Sequence, residues 1–218
     1  MNISDQKILW EKLYKTTEAI LCSAPGCHDF AHTLRVLKNA RLLLKTEPGA
    51  DAFTVEVAAL LHDIARPDEL VESGKCCHAK LGAQKAIQIL REQGCNDEAF
   101  IQHVSDCVRT HRYRGKDAPV TLEAKIVYDA DKLDSVGAIG IARAFHFAGR
   151  IGAAIHNTEE TALNSESYSD QDSAYREYLV KLRHLHQKML TKSGKILAED
   201  RDIFMREFFD QLNKETFE

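Results

Sequence analysis

The chain has 218 residues, 44% of them hydrophobic and 28% charged, with a formal net charge of −4. That supplies a sizeable core and excludes a disordered chain. The basic residues are scattered rather than striped, which argues against polymeric nucleic acid as a partner, and apolar runs such as Val57–Leu61 fall far short of a membrane span. The start, Met-Asn-Ile-Ser-Asp-Gln-Lys, lacks the charged-then-apolar plan of an export signal, so a cytoplasmic protein is expected. Its six cysteines are then expected as free thiols, because neither Cys22-x4-Cys27 nor the adjacent Cys76-Cys77 has the spacing of a zinc pair.

Helical spacing prevails along the whole chain, and no segment alternates long enough to be a strand. The expected fold is all-α. A first helix spans about Ser4 to Cys22 with Ile8, Leu9, Leu13 and Ile20 as its apolar residues, and Pro25-Gly26 breaks it. A second runs from about Phe30 to Lys45. A third starts near Asp51, sets Val55, Ala58, Ala59 and His62 on one buried stripe, and ends just after Asp63 because Pro67 disfavours helix at Arg66. Asp68 to Cys77, with Gly74, reads as a loop.

The next helix covers His78 to Gln93 and stops at Gly94. Asn96 or Asp97 caps another, carrying Phe100, Val104 and Val108 and ending near His111. After a polar loop from Arg112 to Pro119, Thr121 caps the helix that holds Ile126, Val127, Asp131 and Asp134. Gly137 to Gly152, rich in Gly and Ala, suits close helix packing. Asn157 to Ser173, poor in large apolar residues, reads as a mobile excursion. Two helices close the chain, the last docking Leu197, Phe204, Phe208 and Leu212 on a core.

The chemistry concentrates where the helices are most apolar: His32, the pair His62-Asp63, and Asp131. Burying such carboxylates without a partner costs several kcal/mol, so each needs a cation or donors nearby. A divalent metal meets that need for all of them, because two imidazoles and two carboxylates fill about four of six octahedral positions and leave two for water and substrate. A His-Asp pair alone is common by chance, and a lone histidine on an apolar face is more often a hydrogen-bonded core residue. The combination carries more than its parts.

Three segments, His28-Asp29-x-x-His32-x-x-Arg35-Val36, Ala59-Leu60-Leu61-His62-Asp63-Ile64 and Asp129-Ala130-Asp131-Lys132-Leu133-Asp134, make the chain resemble the HD superfamily of metal-dependent phosphohydrolases. The run on to Arg143, and the closing Leu197–Arg201 and Phe204-Met205-x-x-Phe208, are similar to a bacterial hydrolase branch of it. The resemblance implies a single HD-type helical bundle over residues 1–218, a metal site within 28–134, and C-terminal helices 172–214 packing on it. It assigns His32, His62, Asp63 and Asp131 to the metal, and places His28-Asp29 at the mouth of the site. Some members carry a Glu three residues after the His-Asp pair for acid/base work. Here Arg66 stands there, which fits a phosphate clamp instead.

Asp63 is accordingly expected to act in catalysis together with Arg66 and Asp134, the last three residues after Asp131, where it can approach a metal-bound water or merely serve as a helix-surface carboxylate. Asp68 and Glu69 are further acid/base candidates. His78 and His111 border polar loops, and by resemblance either hold a second ion or contact substrate phosphate, as exposed caps would not. Lys80, Arg112 and Arg114 are further phosphate contacts. The implied cofactor is a divalent ion (Mn, Mg, Co, Fe, Ni or Zn). The implied partner is a small phosphorylated substrate, a nucleotide by resemblance, hydrolysed by metal-activated water. A di-iron HD-type oxygenase and a non-catalytic metal- or nucleotide-binding regulatory module are the alternatives.

Overall fold

The computed structural model describes residues 1–22, 27–71, 77–112 and 117–217, apart from the side chains of residues 70 and 71. The break expected at Pro25-Gly26, the stretch holding Gly74 and Cys76, and Arg114 lie outside them. Among the described residues there are helices and no strand. Cys22, Cys27, Cys77, Cys95 and Cys107 are free thiols.

The contacts fall into two compact units, Met1–Asp131 and Lys132–Glu218, and the division lies inside a helix. The first unit contains α1 (Ile3–Leu21), α2 (Phe30–Leu44), α3 (Ala52–Leu61), α4 (Arg66–Val71), α5 (His78–Glu92), α6 (Glu98–Thr110) and most of α7 (Leu122–Leu133). Short polar side chains start most of them: the caps Asn2, Asp29, Asp51 and Asp97 each accept a backbone N–H from the first turn, and Thr121 accepts from Ala124. In α1 the buried positions are Leu9, Leu13, Thr17 and Leu21, whereas Ile8 and Ile20 face solvent.

The centre of this unit is α3. Val55, Val57, Ala58, Ala59, Leu60 and Leu61 are all 0% exposed, so the C-terminal half of this helix is buried, with α1, α2 and α6 against it. Its last turn therefore delivers His62 and Asp63 into the interior. The helix stops at Leu61 with His62 as its cap. Pro67 does not begin a loop, contrary to expectation: it is the second residue of α4, where a proline's missing N–H costs little. The loop expected from Asp68 is thus helical up to Val71.

Two hydrogen bonds fix α7 in the unit, the second of them buried. Glu123 accepts the backbone N–H of Asp51 at 2.9 Å, and Asn39 Nδ2 donates to the carbonyl of Ala130 at 3.1 Å. The second bond clamps α7 to α2 one residue before Asp131. Gly82, on α5, sits where a Cβ would lie 3.6 Å from the carbonyl oxygen of His62 and 3.4 Å from Val108, so α5 approaches α6 and the end of α3 closely.

The second unit contains the end of α7, then α8 (Gly137–Arg150), α9 (Glu159–Asn164), α10 (Ala174–Val180), two short 3-10 turns and α11 (Lys192–Phe217). The Gly- and Ala-rich stretch is α8, which packs on α11 as its composition implies. Asn157–Ser173 is structured rather than a loose excursion. Ser173 Oγ donates to Asn157 Oδ1 at 2.7 Å, Asn157 Nδ2 to the Gln171 carbonyl at 2.9 Å, and Arg176 to the Ser165 carbonyl and the Asp172 carboxylate. Its polar side chains hold one another and the backbone. The buried stripe of α11 is Gly194, Ala198, Asp202, Met205 and Phe209. Of the residues expected there, Leu197, Phe208 and Leu212 flank the stripe half-buried, and Phe204 is exposed.

Candidate metal centre

Four elements of the first unit bring histidines to one place. His32 comes from the first turn of α2, His62 and Asp63 from the end of α3, His78 from the first residue of α5, and His111 from the cap of α6. These four histidines and Asp63 are each at most 1% exposed, so what surrounds each polar atom decides its state.

Asp63 is the hub. Its Oδ2 lies 3.5 Å from both His32 Nε2 and His62 Nε2, and 2.9 Å from His28 Nδ1. Its Oδ1 lies 3.6 Å from His78 Nε2, 3.5 Å from His111 Nε2 and 3.0 Å from Arg66 Nε. One carboxylate thus faces two groups of imidazoles with its two oxygens. On the first side, His32 and His62 approach Nε2 to Nε2 at 3.2 Å, and Asp131 Oδ1 lies 3.5 Å from His32 Nε2. On the second, His78 and His111 approach Nε2 to Nε2 at 3.3 Å.

The tautomers decide what such pairs want. His62 Nδ1 donates to the Ala59 carbonyl at 2.8 Å, and His111 Nδ1 to the Val108 carbonyl at 2.6 Å. Both rings spend their proton on their own helix, so both Nε2 atoms point a bare lone pair into the cluster. This is how metal-binding histidines are oriented: the other ring nitrogen donates and the ligating one stays free. Two nitrogens about 2.1 Å from one ion at a right angle lie about 3 Å apart, close to both observed separations. The donor atoms of His32, His62 and Asp131, those of His28, His32 and Asp63, and those of Asp63, His78 and His111 each lie within 4.8 Å of one another, so these groups suit a metal ion.

Electrostatics point the same way. Burial, outweighing the pull of Asp63 and Asp131, lowers the His62 pKa to about 3. Burial also lowers His28 to about 4 against the attraction of Asp63, and His78 to about 4 with Arg66 adding to the effect. These imidazoles are neutral at ordinary pH. Burial would raise the Asp63 pKa, but Arg66, followed by His62 and His28, holds it well below the usual carboxylate range.

The structure brings His32, His62, Asp63 and Asp131 together, and His78, His111 and Arg66 with them. Lys80, by contrast, has an exposed side chain. Asp134 is bound by Arg143, whose guanidinium donates to its carboxylate at 2.8 Å and to its carbonyl at 2.9 Å. His28, placed by the sequence at the mouth of the site, touches Asp63 directly. Its signal was the spacing of one helical turn before His32. Glu69 was read only as an acid/base candidate, yet Arg66 NH1 lies 2.6 Å and His78 Nδ1 2.9 Å from its Oε2.

Residues 29–136 match the HD domain family. The Bacillus subtilis protein YpgQ is 35% identical over 211 residues, covering 94% of this chain and 92% of YpgQ. The crystal structure of YpgQ in complex with ADP superposes with a TM-score of 0.73 at 30% identity, covering 97% of each chain. An HD-superfamily hydrolase from Bacillus thuringiensis gives a TM-score of 0.72 at 31% identity, again over 97% of each chain. The chain belongs to the HD superfamily, and its site has the His/Asp clusters that such proteins use for divalent metals. No helix among the described residues is long and apolar enough to cross a membrane.

Proposed function

We propose that the protein is a metal-dependent phosphohydrolase acting on a nucleotide or a related small phosphoester or phosphoanhydride. The observation that carries this reading is the convergence of His32 and His62 Nε2, Asp63 Oδ2 and Asp131 Oδ1 from three helices. Those four residues hold the first ion, and Asp63 Oδ1, His78 and His111 a second. A divalent ion in such a site lowers the pKa of water towards 7 and neutralises charge on a phosphoryl oxygen.

The chain's own residues do the rest. Arg66 has Nε on Asp63 and NH1 on Glu69, so its guanidinium is held in one orientation while its side chain stays 22% exposed. A planar fork fixed in this way suits a phosphate that enters beside the histidines. His28, partly exposed and hydrogen-bonded to Asp63, orients that carboxylate. Lys80, exposed in the first turn of α5, remains a phosphate contact of longer reach. We assign Asp134 to holding the start of α8 through Arg143 rather than to activating water. The nucleotide class is supported by the ADP bound to YpgQ.

The test is a screen of protein loaded with Mn, Mg, Co, Fe, Ni or Zn against nucleotides, with phosphate and pyrophosphate measured separately. Metal-dependent release is expected from the wild type and background release from His62→Ala and Asp131→Ala, with unchanged helical circular dichroism. Full turnover in both variants refutes the site. The second cluster of Asp63, His78 and His111 favours one other reading, a di-iron oxygenase. Iron in the purified protein, with oxygen uptake on a phosphonate or polyol and no phosphate release, would select it. A non-catalytic sensor would bind nucleotide tightly without turnover.

A further inference from the structure

His62 and His111 lock their tautomers in the same way, by donating Nδ1–H to the carbonyl three residues earlier in their own helix, Ala59 and Val108. His78 cannot do so. It is the first residue of α5, so its own helix holds no residue three positions earlier. Its Nδ1 is buried without a well-aligned hydrogen bond, and the acceptor at 2.9 Å is Glu69 Oε2. Glu69 reaches it from α4, a different element, three residues after Arg66.

The same oxygen is also the partner of Arg66 NH1 at 2.6 Å, and the other carboxylate oxygen lies 3.8 Å from Arg112 NH1. One carboxylate thus stands behind both a candidate ligand and the candidate phosphate clamp. With the proton of His78 drawn to Nδ1, Nε2 is left bare, 3.3 Å from His111 Nε2 and 3.6 Å from Asp63 Oδ1. Without an acceptor behind it, the ring has no reason to prefer that tautomer, and the lone pair is as often on the wrong nitrogen.

We propose that Glu69 is a positioning residue that sets the tautomer and orientation of His78, and so governs affinity for the second cation without binding it. The inference rests on the two-ion reading above. Its signature is selectivity: removing Glu69 weakens the second ion and spares the first, which is held on the far oxygen of Asp63. Removal of such outer partners lowers metal affinity by about 10- to 100-fold.

The experiment is a Mn2+ titration of the full-length protein, followed by calorimetry and by electron paramagnetic resonance, for wild type, Glu69→Ala, Glu69→Gln and Glu69→Asp. Two ions are expected in the wild type. Glu69→Ala should keep the first affinity within about twofold and lose at least about tenfold in the second. Glu69→Gln keeps an oxygen acceptor at the same reach and should recover most of that loss, whereas Glu69→Asp, one methylene short, should not. One ion in the saturated wild type would defeat the two-ion reading itself. Two ions in the wild type with both affinities unchanged in Glu69→Ala would overturn the role of Glu69 and leave that reading standing. If Glu69→Ala loses both ions together, the Gln and Asp variants decide: recovery by Gln alone supports the proposal, and equal behaviour of the two overturns it.

Discussion

At the scale of single residues, the chemistry depends on where each imidazole spends its one proton. His62 and His111 donate Nδ1–H to backbone carbonyls, and Nε2 is what remains to face the cluster. Arg66 is the residue whose geometry is easiest to separate from its charge. Arg66→Lys keeps a cation but cannot bridge Asp63 and Glu69 while offering a planar face to phosphate. We expect KM to rise about tenfold or more with a smaller change in kcat, read from initial rates on the substrate that the screen identifies. An equal fall in kcat with KM unchanged would move Arg66 from binding to the transition state. The four candidate ligands were legible in the sequence because His62-Asp63 ends an apolar helix and His32 and Asp131 lie on apolar faces. Glu69 was not legible as a partner, because its contact to His78 crosses residues whose path the sequence does not state.

At the scale of elements, the site is only as well placed as the helices that carry it. Asn39 has no chemical role, yet its amide ties α2 to the Ala130 carbonyl beside Asp131. Asn39→Ala removes that buried hydrogen bond, a loss of about 0.5–1.5 kcal/mol, and should weaken the first metal ion as well as lower Tm. A fall in Tm with metal affinity intact would make Asn39 purely structural. In α8, a Cβ on Gly140 would stand 2.3 Å from the backbone oxygen of Ser135, which cannot yield as a flexible side chain does. Gly140→Ala should therefore destabilise by about 1–3 kcal/mol in chemical denaturation. Helix positions followed from periodicity and caps, but not the exact face of α11. There the buried stripe runs through Gly194, Ala198 and Asp202, which no hydrophobic pattern selects, and the large residues lie beside it. Residues 157–173 misled for a related reason: Ser, Asn and Asp look solvated in composition and here bond to each other and to backbone.

At the scale of the whole molecule, metal and fold are linked, because ligands drawn from separate helices exist together only in the folded chain. Mn2+ at about a hundred times its dissociation constant should stabilise the protein by about 2.7 kcal/mol, which for a chain of this size is about 5–10 °C in Tm. Chelation should reverse the shift, and Asp131→Ala should lack it. We propose that residues 1–218 behave as one HD-type domain, for which a single calorimetric transition is expected and two transitions would count against. The most direct test of the central claim is anomalous diffraction from crystals soaked in Mn2+. The account predicts a peak about 2.0–2.3 Å from His32 Nε2, His62 Nε2, Asp63 and Asp131. Saturating Mn2+ with no peak among those four side chains would contradict it.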